Sequence, residues 1–170
     1  MYHSFNWHLF FELLMKYDTS EISKNIQIAK KKYKEGNLFQ ANEIYKNLIN
    51  QKIYTYDLLI SYGLFCKEIN NLKIAKNLFF LSIKKYPLKI NSYILLAEIL
   101  RIENNIKDAL KTLYEAKKVD EFNSDIDYNL SITHKAIKSF KDAIYFIDSA
   151  ITVSYTHLRA HETREDRGLR

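Results

Sequence analysis

The chain has 170 residues, of which 47% are hydrophobic and 27% charged, and its formal net charge is +6. This length is typical of a domain with a real hydrophobic core. Three glycines and one proline are too few for many tight β-turns or for a glycine-rich phosphate-binding loop, so the composition favours long helices. A single cysteine, Cys66, excludes an internal disulfide and suits a reducing cytoplasm.

The positive charge is distributed along the chain rather than concentrated in one stripe. Lysines alternate with acidic residues over most of the sequence, and the densest basic run is Lys30 to Lys32. This pattern favours solvated helix faces over a nucleic-acid surface. No segment reaches the roughly 18 consecutive apolar residues that a membrane span requires, and we expect no secretory signal.

Residues 1–21 form an N-terminal segment whose first part is strongly apolar, with Phe5, Trp7, Phe10 and Phe11 among its members. The pattern predicts a helix that is too short to span a membrane. Three interpretations stay open. The helix caps the structure that follows it; Met15 is the true start, so that residues 1–14 are upstream translation; or the helix lies in a membrane interface.

After this segment the sequence repeats with a period of 34 residues. Ala41, Ala75, Ala109 and Ala143 are evenly spaced, each after a two-residue turn signal and each followed four residues later by a large apolar residue. A fixed period of this size predicts a stacked array of supersecondary units. The copies span residues 22–55, 56–89, 90–123 and 124–152.

Within each copy, the apolar residues recur with helical spacing on both sides of the turn. Asparagine and glycine tolerate the left-handed conformation that ends a helix. The copies therefore predict pairs of helices that cross closely at the alanine. The predicted turns are Gly36-Asn37, Asn70-Asn71, Asn104-Asn105 and Lys138-Ser139.

Copy two carries the clearest motif, namely Leu59, Tyr62-Gly63, Leu72, Ala75, Phe79 and Pro87. Through these residues the chain resembles the tetratricopeptide repeat (TPR) family over about residues 22–152. The resemblance implies an all-α fold, a right-handed α-solenoid of stacked helix–turn–helix repeats. For function it implies only a non-catalytic scaffold that binds a protein or peptide, because a fold alone does not determine a more specific function.

The same resemblance implies that the first helix of each repeat lines a concave groove. This groove is expected to be apolar along its middle and to carry several cations, which suits an extended peptide with some acidic character. Its predicted residues are Lys30, Tyr33, Lys34, Ile60, Leu64, Lys67, Ile94, Glu98, Arg101, Tyr128 and Lys135.

Residues 153–170 differ in composition from the rest of the chain. Four of the five arginines lie there, and the stretch "VSYTHLRAHET" resembles a translated transposase-type sequencing adapter. We therefore expect an artefactual tail on a fragment whose biological chain continued past Thr152. His157 and His161 have the spacing of two zinc ligands on a helix, but the adapter explains them, so no metal is expected.

Motifs of phosphate loops, zinc proteases and nucleophile elbows are absent from the sequence, so no catalytic residue and no cofactor is expected. Cys66 is interpreted as a buried hydrophobe and His134, at the equivalent inward position of copy four, as a packing residue; a Cys66 nucleophile assisted by His134 is a minor alternative. An alternative hypothesis is that the chain is the N-terminal repeat region of a larger bacterial glycosyltransferase, sulfotransferase or methyltransferase.

We expect a cytoplasmic bacterial protein whose partner is a protein or peptide and not a nucleic acid. The last copy lacks a polar cap, so Ile144, Ile147 and Ile151 are expected to be exposed. Self-association through this last copy follows as a further expectation.

Overall fold

A computed structural model of the chain describes residues 19–168, with side chains as far as Thr156 and for Arg159. The helix predicted in residues 1–17 and the side chains of His157 and His161 lie outside this description. Eight helices and no strand occur among the described residues. They are α1 (Thr19–Lys34), α2 (Leu38–Asn50), α3 (Tyr56–Glu68), α4 (Leu72–Lys85), α5 (Ile90–Ile102), α6 (Ile106–Val119), α7 (Ser124–Ala136) and α8 (Phe140–Gly168).

The helices follow one another as hairpins. Helices α3, α5 and α7 begin at Tyr56, Ile90 and Ser124, the first residues of copies two, three and four. The predicted fold class, an all-α solenoid of helix–turn–helix repeats, is confirmed. In the part of the chain that is described, no helix combines the length and the apolar content needed to cross a membrane.

The chain divides into two compact units, Met1–Phe65 and Cys66–Arg170. In the described part of the first unit, α1 packs on α2. Aromatic rings fill its core: Tyr45 stacks on Tyr62 with ring centroids 5.1 Å apart, and Phe65 lies 5.5 Å from Tyr45. The hydroxyl of Tyr62 donates to the side-chain oxygen of Asn42 at 3.1 Å, so this buried phenol has a partner.

In the second unit each helix from α4 to α8 packs on the next, and α5 also lies beside α7. Phe79, Leu113, Ile126 and Leu130 are fully buried between these helices. Burial of aliphatic and aromatic side chains of this size stabilises the fold by about 1.5–3 kcal/mol each. The repeat interfaces therefore carry most of the stability of the unit.

The four predicted turns share one backbone geometry. Gly36, Asn70, Asn104 and Lys138 adopt positive φ angles of 79°, 60°, 58° and 60°. The N–H of the following residue donates to the carbonyl oxygen five residues earlier, as in the 2.8 Å bond between the Asn105 nitrogen and the Leu100 oxygen. This is the Schellman pattern, which satisfies carbonyls at the helix end.

The second residue of these turns starts the next helix. The side chains of Asn37, Asn71 and Asn105 each accept a hydrogen bond from the backbone N–H three residues later, as N-caps do. Two residues therefore end one helix and begin another. This is why the period can be maintained with almost no glycine and proline.

The column of alanines is buried where a following helix covers it. Ala41, Ala75 and Ala109 have no exposed surface, whereas Ala143 on α8 is partly exposed. Ala109 lies on α6, which α7 covers, and no described helix covers α8 in the same way. Of the three isoleucines predicted to be exposed there, Ile144 and Ile151 are exposed and Ile147 is only partly exposed.

The turn residues offer a matched pair of substitutions. Lys138→Gly should stabilise the protein by about 0.5–1 kcal/mol, because glycine removes the cost of a side chain at positive φ. Gly36→Ala should destabilise it by about 1 kcal/mol, since an added Cβ at Gly36 meets no atom within 4 Å and only the backbone conformation is strained. Urea unfolding followed by circular dichroism measures both, and equal signs for the two would contradict this account of the turns.

The alanine column offers a second pair. Ala109→Leu should destabilise the protein by about 1–3 kcal/mol, because the larger side chain must enter a filled helix crossing. Ala143→Leu, at the same repeat position on a partly exposed surface, should cost much less. The comparison needs only two thermal melts, and similar losses in both variants would show that cover by a following helix does not determine the effect.

Candidate ligand groove

Helices α5 and α7 of the second unit carry most of the predicted groove residues there, and they lie side by side. Ile94 is half-buried, Tyr128 is 52% exposed, and Lys135 is exposed in the last turn of α7. Apolar and aromatic surface is therefore accessible on both helices. The charged residues among the predicted groove positions differ in how much of their charge is available to a ligand.

Lys67 is engaged in an ion pair. Its ammonium nitrogen lies 2.8 Å from both carboxylate oxygens of Glu98, which joins the end of α3 to α5 within the second unit. Both side chains are partly buried, so the pair is less screened than a surface pair. Lys67 was expected to be a cation for a ligand, but its ammonium group is already paired with Glu98.

Arg101 bridges α5 to α7. One terminal nitrogen, Nη1, donates to the backbone oxygen of Asn129 at 3.4 Å and to its side-chain oxygen at 3.1 Å. The same nitrogen donates to the hydroxyl of Thr133 at 3.2 Å. Burial lowers the pKa of Arg101, while the nearby Glu98 and Tyr128 act in the opposite direction. The side chain therefore fixes the distance between the two helices.

The other predicted groove residues lie in the first unit and are described separately. Lys30 and Lys34 are exposed on α1, and Tyr33 and Leu64 are half-buried. Ile60 is only 9% exposed, so little of its surface is accessible to a ligand. In this unit the cations and the half-buried residues are more accessible than the isoleucine.

Asp127 is a buried carboxylate that the sequence reasoning missed. It has no exposed surface, and its two oxygens lie 2.5 Å from the Lys117 ammonium and 2.6 Å from the Ser149 hydroxyl. The residue therefore connects α6, α7 and α8. The 34-residue period could have predicted its burial, because Asp127 occupies the repeat position of Leu59 and Tyr93, which are buried core residues.

His134 and Cys66 are both buried, in agreement with their interpretation as packing residues. The Nε2 atom of His134 lies 3.1 Å from the Tyr114 hydroxyl, and its ring stacks on Phe146 at a centroid distance of 5.4 Å. Its Nδ1 atom lies 3.6 Å from the Asp142 carboxylate, too far for a hydrogen bond. Burial and, to a lesser degree, Asp142 raise the pKa of Tyr114.

A separate cavity of about 410 Å³ lies between the second helices of two repeats, α4 and α6, above α5. Leu96 and Leu100 contribute to its apolar lining, and Phe80, 63% exposed, also lines it. Its charges are mixed, and Lys76 is paired with Glu103 at 2.6 Å. This cavity is an alternative ligand surface to the groove on α5 and α7.

No protein-family model and no curated protein matches the chain. Solved structures do match it. A crystal structure of MamA has a TM-score of 0.68 at 17% identity, covering 81% of this chain and 75% of that chain. A MamA from Desulfovibrio magneticus RS-1 has a TM-score of 0.64 at 15% identity, covering 85% of each chain.

A thermophilic TPR protein of Thermus thermophilus matches with a TM-score of 0.63 at 12% identity, covering 77% of this chain and 73% of that chain. The chain has the TPR fold. Identities this low bear on the TPR fold alone and do not transfer a ligand. The ligand must therefore be inferred from the side chains on the TPR helices.

Removal of the Asp127 carboxylate tests its role in the second unit. Asp127→Ala should destabilise the protein by about 2–3 kcal/mol, because it leaves Lys117 and Ser149 without their charged partner. Asp125→Ala is the control, two residues earlier and exposed, and should cost less than about 1 kcal/mol. Equal unfolding midpoints for the two variants would rule out a structural role for the buried carboxylate.

Proposed function

We propose that this chain is a non-catalytic scaffold that binds an extended protein or peptide segment along α5 and α7. The observation that supports this most strongly is the combination of accessible Tyr128 and Ile94 with polar groups held in place by other contacts. Glu98 is held by Lys67, and Asn129 is held by Arg101. A surface with apolar anchors and pre-positioned polar groups loses little entropy on binding.

The proposed partner is a protein and not a nucleic acid. The Lys67–Glu98 pair and the exposed Asp125 reduce the positive charge on this surface. Nucleic-acid surfaces need a basic stripe that neutralises several phosphates. We place the chain in the cytoplasm of a bacterium, where the thiol of buried Cys66 stays reduced.

The same surface would serve a repeat region that precedes a transferase domain in a longer bacterial enzyme. The sequence of the intact gene distinguishes this alternative from a scaffold without an enzyme, since only the gene of the longer enzyme encodes a catalytic domain. The exposed face of α8 adds a second candidate interface, for another copy of this chain.

The groove is tested by selecting binders from a random dodecapeptide display library on the full chain and measuring their affinities. Tyr128→Ala should weaken the selected peptides about tenfold or more, because an exposed aromatic residue at an interface centre contributes about 1.4 kcal/mol or more. Fluorescence anisotropy of labelled peptides gives the dissociation constants.

Phe80→Ala is the matched control, because Phe80 is also an exposed ring and lines the cavity between α4 and α6. It should change affinity less than about twofold. If Phe80→Ala weakens binding and Tyr128→Ala does not, the ligand binds the cavity. If no peptide is enriched at all, the peptide-binding proposal is wrong.

A further inference from the structure

Helix α8 carries an apolar stripe on the side that faces away from α7. Ile137, just before the helix, and Phe140, Ile144 and Ile151 are between 48% and 61% exposed. On the opposite side of the helix, Phe146 and Ala150 are buried. Helical spacing aligns Phe140, Ile144 and Ile151 in one stripe, because they lie four and seven residues apart on α8, and Ile137 lies in the turn just before it.

The same side of the corresponding helices is partly covered in the earlier copies of the second unit. Helix α5 packs on α4, and α7 packs on α6. The coverage leaves Ala109 and Leu113 with no exposed surface, whereas their counterparts Ala143 and Ile147 are partly exposed. On α6 the counterparts of Phe140 and Ile144 are Ile106 and Leu110, which are half-buried, so the position of the stripe is partly covered elsewhere in this unit.

The charges beside the stripe indicate which helix fits. Lys141 and Asp148 are exposed, lie on one flank of the stripe and are seven residues apart. In an antiparallel pair of α8 helices with a two-fold axis between Ile144 and Tyr145, residue 141 of each copy faces residue 148 of the other. The stripe itself carries no charge, so the same surface is complementary to itself, as a two-fold interface requires.

We propose that a second copy of this chain covers the stripe, with the two α8 helices antiparallel and two reciprocal ion pairs between Lys141 and Asp148. The interface uses residues 137–152. It does not involve Tyr128 or the groove on α5 and α7. Loss of the dimer and loss of peptide binding are therefore separate outcomes.

The proposal is tested on the full chain by sedimentation equilibrium from about 1 to about 100 µM, a range that resolves micromolar association. The wild-type chain should form a dimer in this range. Ile144→Asp should weaken dimerisation about 100-fold or more, since each dimer loses two buried isoleucines. Phe80→Asp, an exposed apolar residue on α4, is the control and should leave the dimer intact.

Charge reversal tests the antiparallel register. Lys141→Glu or Asp148→Lys alone should weaken the dimer about three- to tenfold, because each places two like-charged pairs in contact. The double variant restores both pairs and should dimerise within about threefold of the wild type. Circular dichroism melts check that each variant is folded.

Three results would overturn the proposal. A chain that stays monomeric at about 100 µM leaves the stripe to a helix of another protein or of a further repeat. A dimer that withstands Ile144→Asp uses a different surface. A double variant that is weaker than both single variants shows that Lys141 and Asp148 do not face each other.

Discussion

The close crossing of two helices at one alanine in each repeat is the constraint on which the rest of this structure depends. Ala41, Ala75 and Ala109 have no exposed surface, so the crossing helices leave room there for no more than a methyl group. The close approach of the helices positions the neighbouring aromatic and aliphatic side chains. The period of 34 residues returns the alanine to the same place in each hairpin. The turns maintain the period, because two residues end one helix and cap the next.

Features that depend on local chemistry were predictable from the sequence. The left-handed residues Gly36, Asn70 and Asn104 belong to types that tolerate positive φ, and Lys138 was assigned only because the period required a turn there. The helices follow from apolar spacing and the fold class from the period. These inferences need distances along the chain and no knowledge of contacts between helices.

Features that depend on contacts between helices were not predictable in the same way. The sequence places Lys67 on the groove but does not show that Glu98, one repeat later, binds its ammonium group at 2.8 Å. The predicted groove residue Ile60 is mostly buried for the same kind of reason, since the packing of its neighbours decides its exposure. Asp127 was detectable only as a polar residue in the buried column of Leu59 and Tyr93.

In the second unit, polar contacts at the groove and in the interior fix helix positions that apolar packing alone would leave adjustable. Apolar contacts are non-directional and tolerate small shifts of one helix along another, whereas hydrogen bonds to charged groups fail when their geometry changes. Arg101 ties α5 to α7 at the groove, and Asp127 ties α7 to α6 and α8 in the interior. Because α7 takes part in both, it is held to α5 at the groove and to α6 and α8 in the interior. The spacing of Ile94 and Tyr128, and with it the width of the proposed binding surface, depends on these bonds.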